Sequence, residues 1–236
     1  MNINFHNQNI LITGGTKGIG KKLVQDFSLL GGNVWFTGRD KSIKDKNYLS
    51  VDFQDENQMN IFLDKIQNIN FDVVINNAGT NKIGSLESYD NEDYDKIINL
   101  NLSSCYKIMK TVIPQMRRKN YGKIINVTSI QSEICIPLRS AYCSSKFGLL
   151  GLTKSSAVEL AKHNILVNSV APGVIQTDLT KNILGKNKMD EIAENLPIGR
   201  LGTVNDISNT VLFMSSKFNT YIVGQNIIVD GGYTCV

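Results

Sequence analysis

The sequence is poor in the side chains that build metal centres and cross-linked scaffolds. Its 236 residues include 2 histidines and 4 cysteines, and Cys105, Cys135, Cys143 and Cys235 form neither a Cys-x-x-Cys pair nor a ligand spacing. No metal site is therefore expected, and free thiols in a reducing cytoplasm are the simple reading. No apolar run approaches the ~20 residues of a membrane-spanning helix. The polar stretch 1–9 runs directly into an apolar segment and does not resemble a signal peptide. Charge of one sign is also missing: 25 Lys and Arg stand against 21 Asp and Glu, a net charge of +4. Only Arg117-Arg118-Lys119 forms a basic run, so neither nucleic acid nor a membrane surface is an expected partner. Repeats, low-complexity tracts and Pro/Gly/Ser linkers are absent, which predicts one domain over 1–236.

What is present is an alternation of short apolar runs with longer amphipathic stretches. Strands are predicted over 10–13, 34–37, 49–51, 73–76, 123–128, 166–171 and 226–229. Helices are predicted over 19–30, 56–68, 92–119, 141–162, 189–195 and 204–215. Continuously apolar strands separated by helices indicate an α/β fold: a doubly wound, Rossmann-type sheet of seven parallel strands with helices on both faces. Only about ten residues separate the second and third strands, fewer than a crossover helix needs. That helix is expected to be vestigial or missing.

Two motifs carry chemistry. The first, Thr13-Gly14-Gly15-Thr16-Lys17-Gly18-Ile19-Gly20, lies between the first strand and the first helix. Glycines there let the backbone turn sharply and approach a phosphate, and the helix N-terminus supplies unpaired N–H groups. Gly14, Thr16, Lys17, Gly18, Ile19 and Gly20 are thus candidate cofactor-binding residues. The second strand ends in Thr37-Gly38-Arg39-Asp40, where a carboxylate would serve the ribose of NAD(H) and a cation the 2′-phosphate of NADP(H). Arg39 and Lys17 against Asp40 favour NADP(H).

The second motif is Ser129 at the end of the fifth strand, followed by Tyr142 and Lys146 at the start of a helix. Tyr-x-x-x-Lys alone is weak, because Tyr106/Lys110 repeats it without a comparable serine. The phenol of an ordinary tyrosine, with a pKa near 10, exchanges protons poorly at neutral pH. A cation at i+4, on the same helix face, favours the charged form. Tyr142 is then a general acid in reduction and base in oxidation, and Ser129 donates a hydrogen bond to a substrate oxygen as charge develops. Cys143 points about 100° away around the helix. Trp35 is read as core, and His163 as a surface residue near a helix end.

With Asn76-Asn77-Ala78-Gly79, Asn101-Leu102-Ser103-Ser104, Pro172-Gly173 and Val229-Asp230-Gly231-Gly232, these motifs fall in the order and spacing of the short-chain dehydrogenases/reductases. The chain resembles that family from Ile10 to Tyr233. The resemblance implies that Lys146 also holds the nicotinamide ribose together with Tyr142, and that Asn101, rather than Asn99, anchors a water in a proton relay. It implies Asp52 at the adenine, Asn77, Ala78 and Gly79 near the adenosine half, and Pro172, Gly173, Ile175 and Thr177 near the nicotinamide and phosphates. Turn and cap chemistry is the competing reading for these last positions. A homotetramer built on the two long helices and a substrate lid over 178–200 are further implications.

Within the family the chain looks most like the bacterial 3-oxoacyl-[acyl-carrier-protein] reductases. Those are expected to dock an acidic carrier through two arginines, whose matching positions here are Asn120 and His163. Arg117, Arg118, Lys119 and Lys162 are the nearby cations, so the acyl carrier protein is an uncertain partner. The polar loop 130–140, with Gln131, Ser132, Glu133 and Arg139, suits a sugar, polyol or other small polar ketone as well. An NADP-binding sensor without catalysis would lose the acid. Here Asn101, Ser129, Tyr142 and Lys146 are all present.

Overall fold

A computed structural model describes residues 2–236, and in it every predicted strand forms. The elements run β1 (Asn9–Ile12), α1 (Gly18–Leu29), β2 (Asn33–Gly38), β3 (Tyr48–Ser50), α2 (Glu56–Ile66) and β4 (Val73–Asn76). They continue as α3 (Asn91–Ile98), α4 (Ser104–Lys119), β5 (Gly122–Val127), α5 (Ser140–Leu160), β6 (Ile165–Pro172), α6 (Asp178–Leu184), α7 (Lys186–Asn195), α8 (Val204–Ser215) and β7 (Asn226–Val229). The seven strands form one parallel sheet in the order β3-β2-β1-β4-β5-β6-β7. No helix joins β2 to β3, as the short polar connection predicts.

The strands are apolar on both sides because both faces are covered. Successive residues alternate between two cores. Leu11, Val74 and Ile124 pack with Met59 and Phe62 of α2, Ile108 and Val112 of α4, and Ala157 and Leu160 of α5. Ile10, Ile12, Val73, Ile75 and Ile125 pack on the other face with Leu23 and Phe27 of α1 and Ile207 and Val211 of α8. Trp35 packs half-buried against the first core. A buried polar chain crosses the sheet: Asn76 Nδ2 donates to Asn126 Oδ1 (2.8 Å), and Asn126 Nδ2 donates to Thr153 Oγ1 (2.9 Å). It ties the ends of β4 and β5 to α5.

Two helix expectations need correction. The stretch predicted as one helix over 92–119 is α3 and α4 joined by a π turn, Asn99–Ser103. No proline or glycine marks that turn, and local sequence does not announce a widened i→i+5 hydrogen bond. Within 178–200, the helix expected over 189–195 begins earlier, at Lys186, and α6 precedes it. No helix among the described residues is long and apolar enough to cross a membrane.

The two edges of the sheet differ. At the N-terminal ends of the strands, Lys119 pairs with buried Asp72, whose carboxylate also accepts the Asn9 N–H at 2.8 Å. Lys123 of β5, itself buried, donates to the Asn219 carbonyl. That edge is closed by its own polar groups, and the opposite edge is open. Burial pulls the Lys123 pKa down from 10.5 to about 8. Because the folded value lies below the unfolded one, the buried cation destabilises the fold at pH 7, and the penalty is relieved as pH rises from about 8 to 10.5. The unfolding free energy of the native protein, measured against Lys123→Met in urea, should gain about 1 kcal/mol or more across that window. Parallel pH curves for the two proteins would contradict the assignment.

Candidate active site

Strand order reverses between β1 and β4, since β2 and β3 lie beyond β1 and β5 to β7 beyond β4. The chain segments leaving β1 and β4 therefore part in opposite directions and leave a crevice at their C-terminal ends. A cavity of about 550 Å³ opens there. Every sequence-predicted site residue lines it except Asn101.

The glycine turn forms one wall. The Thr13 hydroxyl accepts the N–H groups of Asn77 and Ala78, both at 2.9 Å. In return, Asn77 Nδ2 donates to the carbonyls of Thr13 (2.9 Å) and Gly14 (3.2 Å). The two loops are thus laced together before any ligand arrives. Gly20 packs so closely that a Cβ would lie 2.1 Å from the Gly14 carbonyl oxygen, and Gly18 has φ +51°. At the start of α1 the N-cap Lys17 makes no side-chain cap, and no acidic residue occupies the first turn. At α8, by contrast, Thr203 and Asp206 form a capping box. The uncapped N-terminus of α1, with Gly18 and Ile19, thus lines the cavity, and the positive end of its dipole suits a pyrophosphate. The residues present fit a dinucleotide.

Arg39 lies at the far end of this wall, largely exposed and 3.8 Å from Asp52 Oδ2, with Lys17 lining the same corner. Asp40 is held by the N–H and hydroxyl of Ser42 (2.8 and 2.6 Å), which keep its carboxyl below the usual carboxylate range. Asp40 does not line the cavity, so the charge offered at this corner beyond Asp52 is positive.

The other wall comes from β5 and α5. Ser129 follows β5, and its hydroxyl oxygen accepts the Gln131 N–H at 3.1 Å, which leaves the hydroxyl proton free to donate. Tyr142 sits in the first turn of α5, half-buried. Lys146 is buried one turn later, and its Nζ lies 5.5 Å from the Tyr142 ring centroid. It donates to the Val127 carbonyl at 2.8 Å. Pro172, Gly173, Ile175 and Thr177 extend from β6 to α6. Thr177 is also the N-cap of α6, accepting the Thr180 N–H at 3.2 Å, so the cap reading of this residue is realised alongside its place in the cavity.

Asn101 stands in the π turn, fully buried behind the cavity wall. Its Nδ2 donates to the Thr80 carbonyl (2.9 Å) and Ser145 Oγ (3.0 Å), and its Oδ1 accepts the Thr80 N–H (2.9 Å). Both amide donors are spent within the protein, so the side chain braces the loop after β4 and the start of α5. Tyr106, in the decoy Tyr-x-x-x-Lys, is half-exposed on α4, and Asn99 is exposed. Cys143 is buried away from the cavity, its thiol donating to Gln131 Oε1 at 3.3 Å while burial pushes its pKa up.

The sequence reading missed Thr13, whose hydroxyl organises the crevice, and Asn81, which lines it. It also missed Leu179, Ile183 and Leu184 of α6, which supply an apolar wall. No local pattern marks them: their roles come from what other segments bring alongside. Asn120 and His163, at the ends of α4 and α5, lie by the opposite edge of the sheet, where Asn164 Nδ2 donates to the Asn120 carbonyl at 3.2 Å.

A family model described as Enoyl-(Acyl carrier protein) reductase matches residues 14–234. The 3-oxoacyl-[acyl-carrier-protein] reductase FabG of Rickettsia bellii (strain RML369-C) is 34% identical over 243 residues, covering 99% of this chain and all of that protein. Among solved structures, ElxO with NADP bound superposes with a TM-score of 0.87 at 32% identity, covering 97% of this chain and 99% of that one. A gluconate 5-dehydrogenase from Burkholderia cenocepacia J2315, in complex with NADP and tartrate, gives a TM-score of 0.91 at 25% identity over 100% and 98% of the two chains.

The Thr13 lacing makes a direct prediction. Thr13→Val keeps the shape and leaves two backbone N–H groups without their acceptor, which should cost about 1–3 kcal/mol in the urea unfolding free energy. A loss below about 0.5 kcal/mol would show that the hydroxyl does not hold the two loops.

Proposed function

The chain belongs to the short-chain dehydrogenase/reductase family, and on that premise we propose that it reduces the 3-oxo group of an acyl substrate with NADPH. One observation carries the reading. The phosphate-binding turn and the Ser129, Tyr142 and Lys146 side chains line one continuous cavity. NADPH, when bound, supplies the hydride. Ser129 donates its hydroxyl proton in a hydrogen bond to the carbonyl oxygen, stabilising the charge that develops there. Tyr142 delivers the proton that completes the alcohol. Lys146, held by the Val127 carbonyl, places its charge beside the phenol and would hold the nicotinamide ribose. Asn101 fixes the main chain of Thr80 and the hydroxyl of Ser145, which keeps the two walls in register.

Arg39 and Lys17 take the 2′-phosphate, and Asp52, Asn77, Ala78 and Gly79 surround the adenosine half. Pro172, Gly173, Ile175 and Thr177 receive the nicotinamide end. The acyl group lies against Leu179, Ile183 and Leu184, so the segment 178–200 acts as the lid. The full-length similarity to 3-oxoacyl-[acyl-carrier-protein] reductases supports the acyl reading. Arg117 and Lys119 are engaged by Glu159 and Asp72, which argues against docking of a carrier protein through these cations. A homotetramer is supported by exposed apolar side chains on the two long helices, Tyr106 of α4 and Phe147 and Val158 of α5. A reducing cytoplasm suits the four free thiols.

Absorbance at 340 nm with NADPH and an acetoacetyl thioester tests the reading, with keto-sugars as the contrast. Turnover of the thioester is expected; turnover of sugars alone would overturn the acyl assignment. Tyr142→Phe should lower kcat by about 10²–10⁴-fold while NADPH still binds. Unchanged turnover in that variant would remove Tyr142 from the mechanism. Arg39→Ala should weaken NADPH binding about 10–100-fold and leave NADH binding nearly unaltered; an equal effect on both would refute the phosphate contact.

A further inference from the structure

Leu138 and Arg139 invert the usual partition of side chains. Leu138 is 51% exposed and has φ +65°, a backbone conformation unfavourable for a leucine, whereas the adjacent Arg139 is 8% exposed. The strained turn places the arginine inward at the N-cap of α5, three residues before Tyr142. There it lines the same cavity as Ser129 and Tyr142. Its Nη1 is buried and has no hydrogen-bond partner, and no carboxylate among the described residues forms an ion pair with it. The titratable groups that face it are the phenols of Tyr142 and Tyr89 and the thiol of Cys143, none of them a carboxylate.

A guanidinium remains charged at any physiological pH, and a buried charge without a counter-charge is heavily penalised. The fold nonetheless spends a left-handed leucine to hold it there. A second unpartnered group lines the cavity. Asn81 Oδ1 is buried without a hydrogen bond, and Asn81 lines the same cavity. It directly follows Thr80, whose N–H and carbonyl are both fixed by Asn101. The fork of Arg139 is therefore a preset donor in the cavity, and Asn81 Oδ1, an amide oxygen, is a preset acceptor.

We propose that Arg139 binds the C1 carboxylate of the substrate, so that the cavity prefers short 3-oxo acids to neutral acyl thioesters. The inference rests on the hydride-transfer reading of the same cavity. Planar bidentate recognition is what an arginine fork does best with a carboxylate. In a 3-oxo acid the carboxyl carbon is two bonds from the reacting carbon. Ser129, Tyr142 and Arg139 line one cavity, so a ketone oxygen bound at the first two leaves the carboxylate in space that the Arg139 fork also lines. A thioester presents one neutral acceptor at the same place and cannot compensate the charge.

The test compares acetoacetate with the acetoacetyl thioester of N-acetylcysteamine, using NADPH and the full chain. Arg139→Met should lower the ratio of kcat/KM for acetoacetate to that for the thioester at least 50-fold, and the loss on acetoacetate should appear in KM. Arg139→Lys should restore at least a tenth of the preference. An unchanged ratio, or a fall in kcat shared by both substrates, would mean that Arg139 is only structural. A native enzyme that reduces the thioester and ignores acetoacetate would overturn the carboxylate site and leave the reductase reading intact. If neither compound turns over, the reductase reading fails, and calorimetry of malonate binding to the NADP-loaded protein still decides the site. Binding that weakens at least 30-fold in Arg139→Met supports the site; no binding to the native protein overturns it.

Discussion

The geometry of the site depends on one hydrogen bond between a cation and a strand end, Lys146 Nζ to the Val127 carbonyl at 2.8 Å. Val127 is the last residue of β5, and Ser129 follows two residues later. The bond therefore sets α5 against the end of β5, and with it the spacing of the Ser129 and Tyr142 hydroxyls. Lys146 is buried with no carboxylate partner, so the carbonyl and the cavity have to satisfy its charge. A cation held in this way is kept beside the Tyr142 ring and cannot swing out to solvent. The chain Asn76–Asn126–Thr153 supports the same junction one layer deeper.

Parallel topology does the rest. All seven strands end on one side, and the reversal of strand order between β1 and β4 leaves the crevice where the glycine turn and Asn77 meet. The opposite side is closed by the Asp72–Lys119 pair and by Lys123. Cofactor chemistry is thereby confined to one edge, and the walls of that edge differ in character. The α1 side presents backbone N–H groups and cations, the α5 side presents hydroxyls, and α6 contributes leucines and an isoleucine. On the proposed reading a dinucleotide spans the first two, and the substrate lies between the second and third.

Much of this was legible in the sequence, for identifiable reasons. Strands buried on both faces write themselves as unbroken apolar runs, so β1, β4 and β5 were read within a residue or two. The glycine turn and the Tyr142/Lys146 pair are local patterns whose spacing is their geometry. The absent helix between β2 and β3 followed from counting residues. What stayed hidden depends on distant packing. The π turn at Asn99–Ser103 has no residue signature, and it moves Asn101 behind the wall rather than into the cavity. The bond from Thr13 to Asn77 links segments 64 residues apart. Arg139 reads as one charge in a polar loop, and only the fold reveals that it is buried without a partner.

On the proposed reading, hydride passes directly and in one orientation from a nicotinamide held between the two walls to a substrate carbonyl held by Ser129 and Tyr142. The most direct test of this transfer is isotopic. NADPH carrying deuterium at one or the other of the two C4 positions is supplied with the oxo substrate, and the alcohol is examined by mass spectrometry and NMR. The account predicts that deuterium from only one of the two labelled forms appears at the carbinol carbon, without loss to solvent. Deuterium in the water, or equal transfer from both forms, would contradict a cofactor and carbonyl fixed face to face in this cavity.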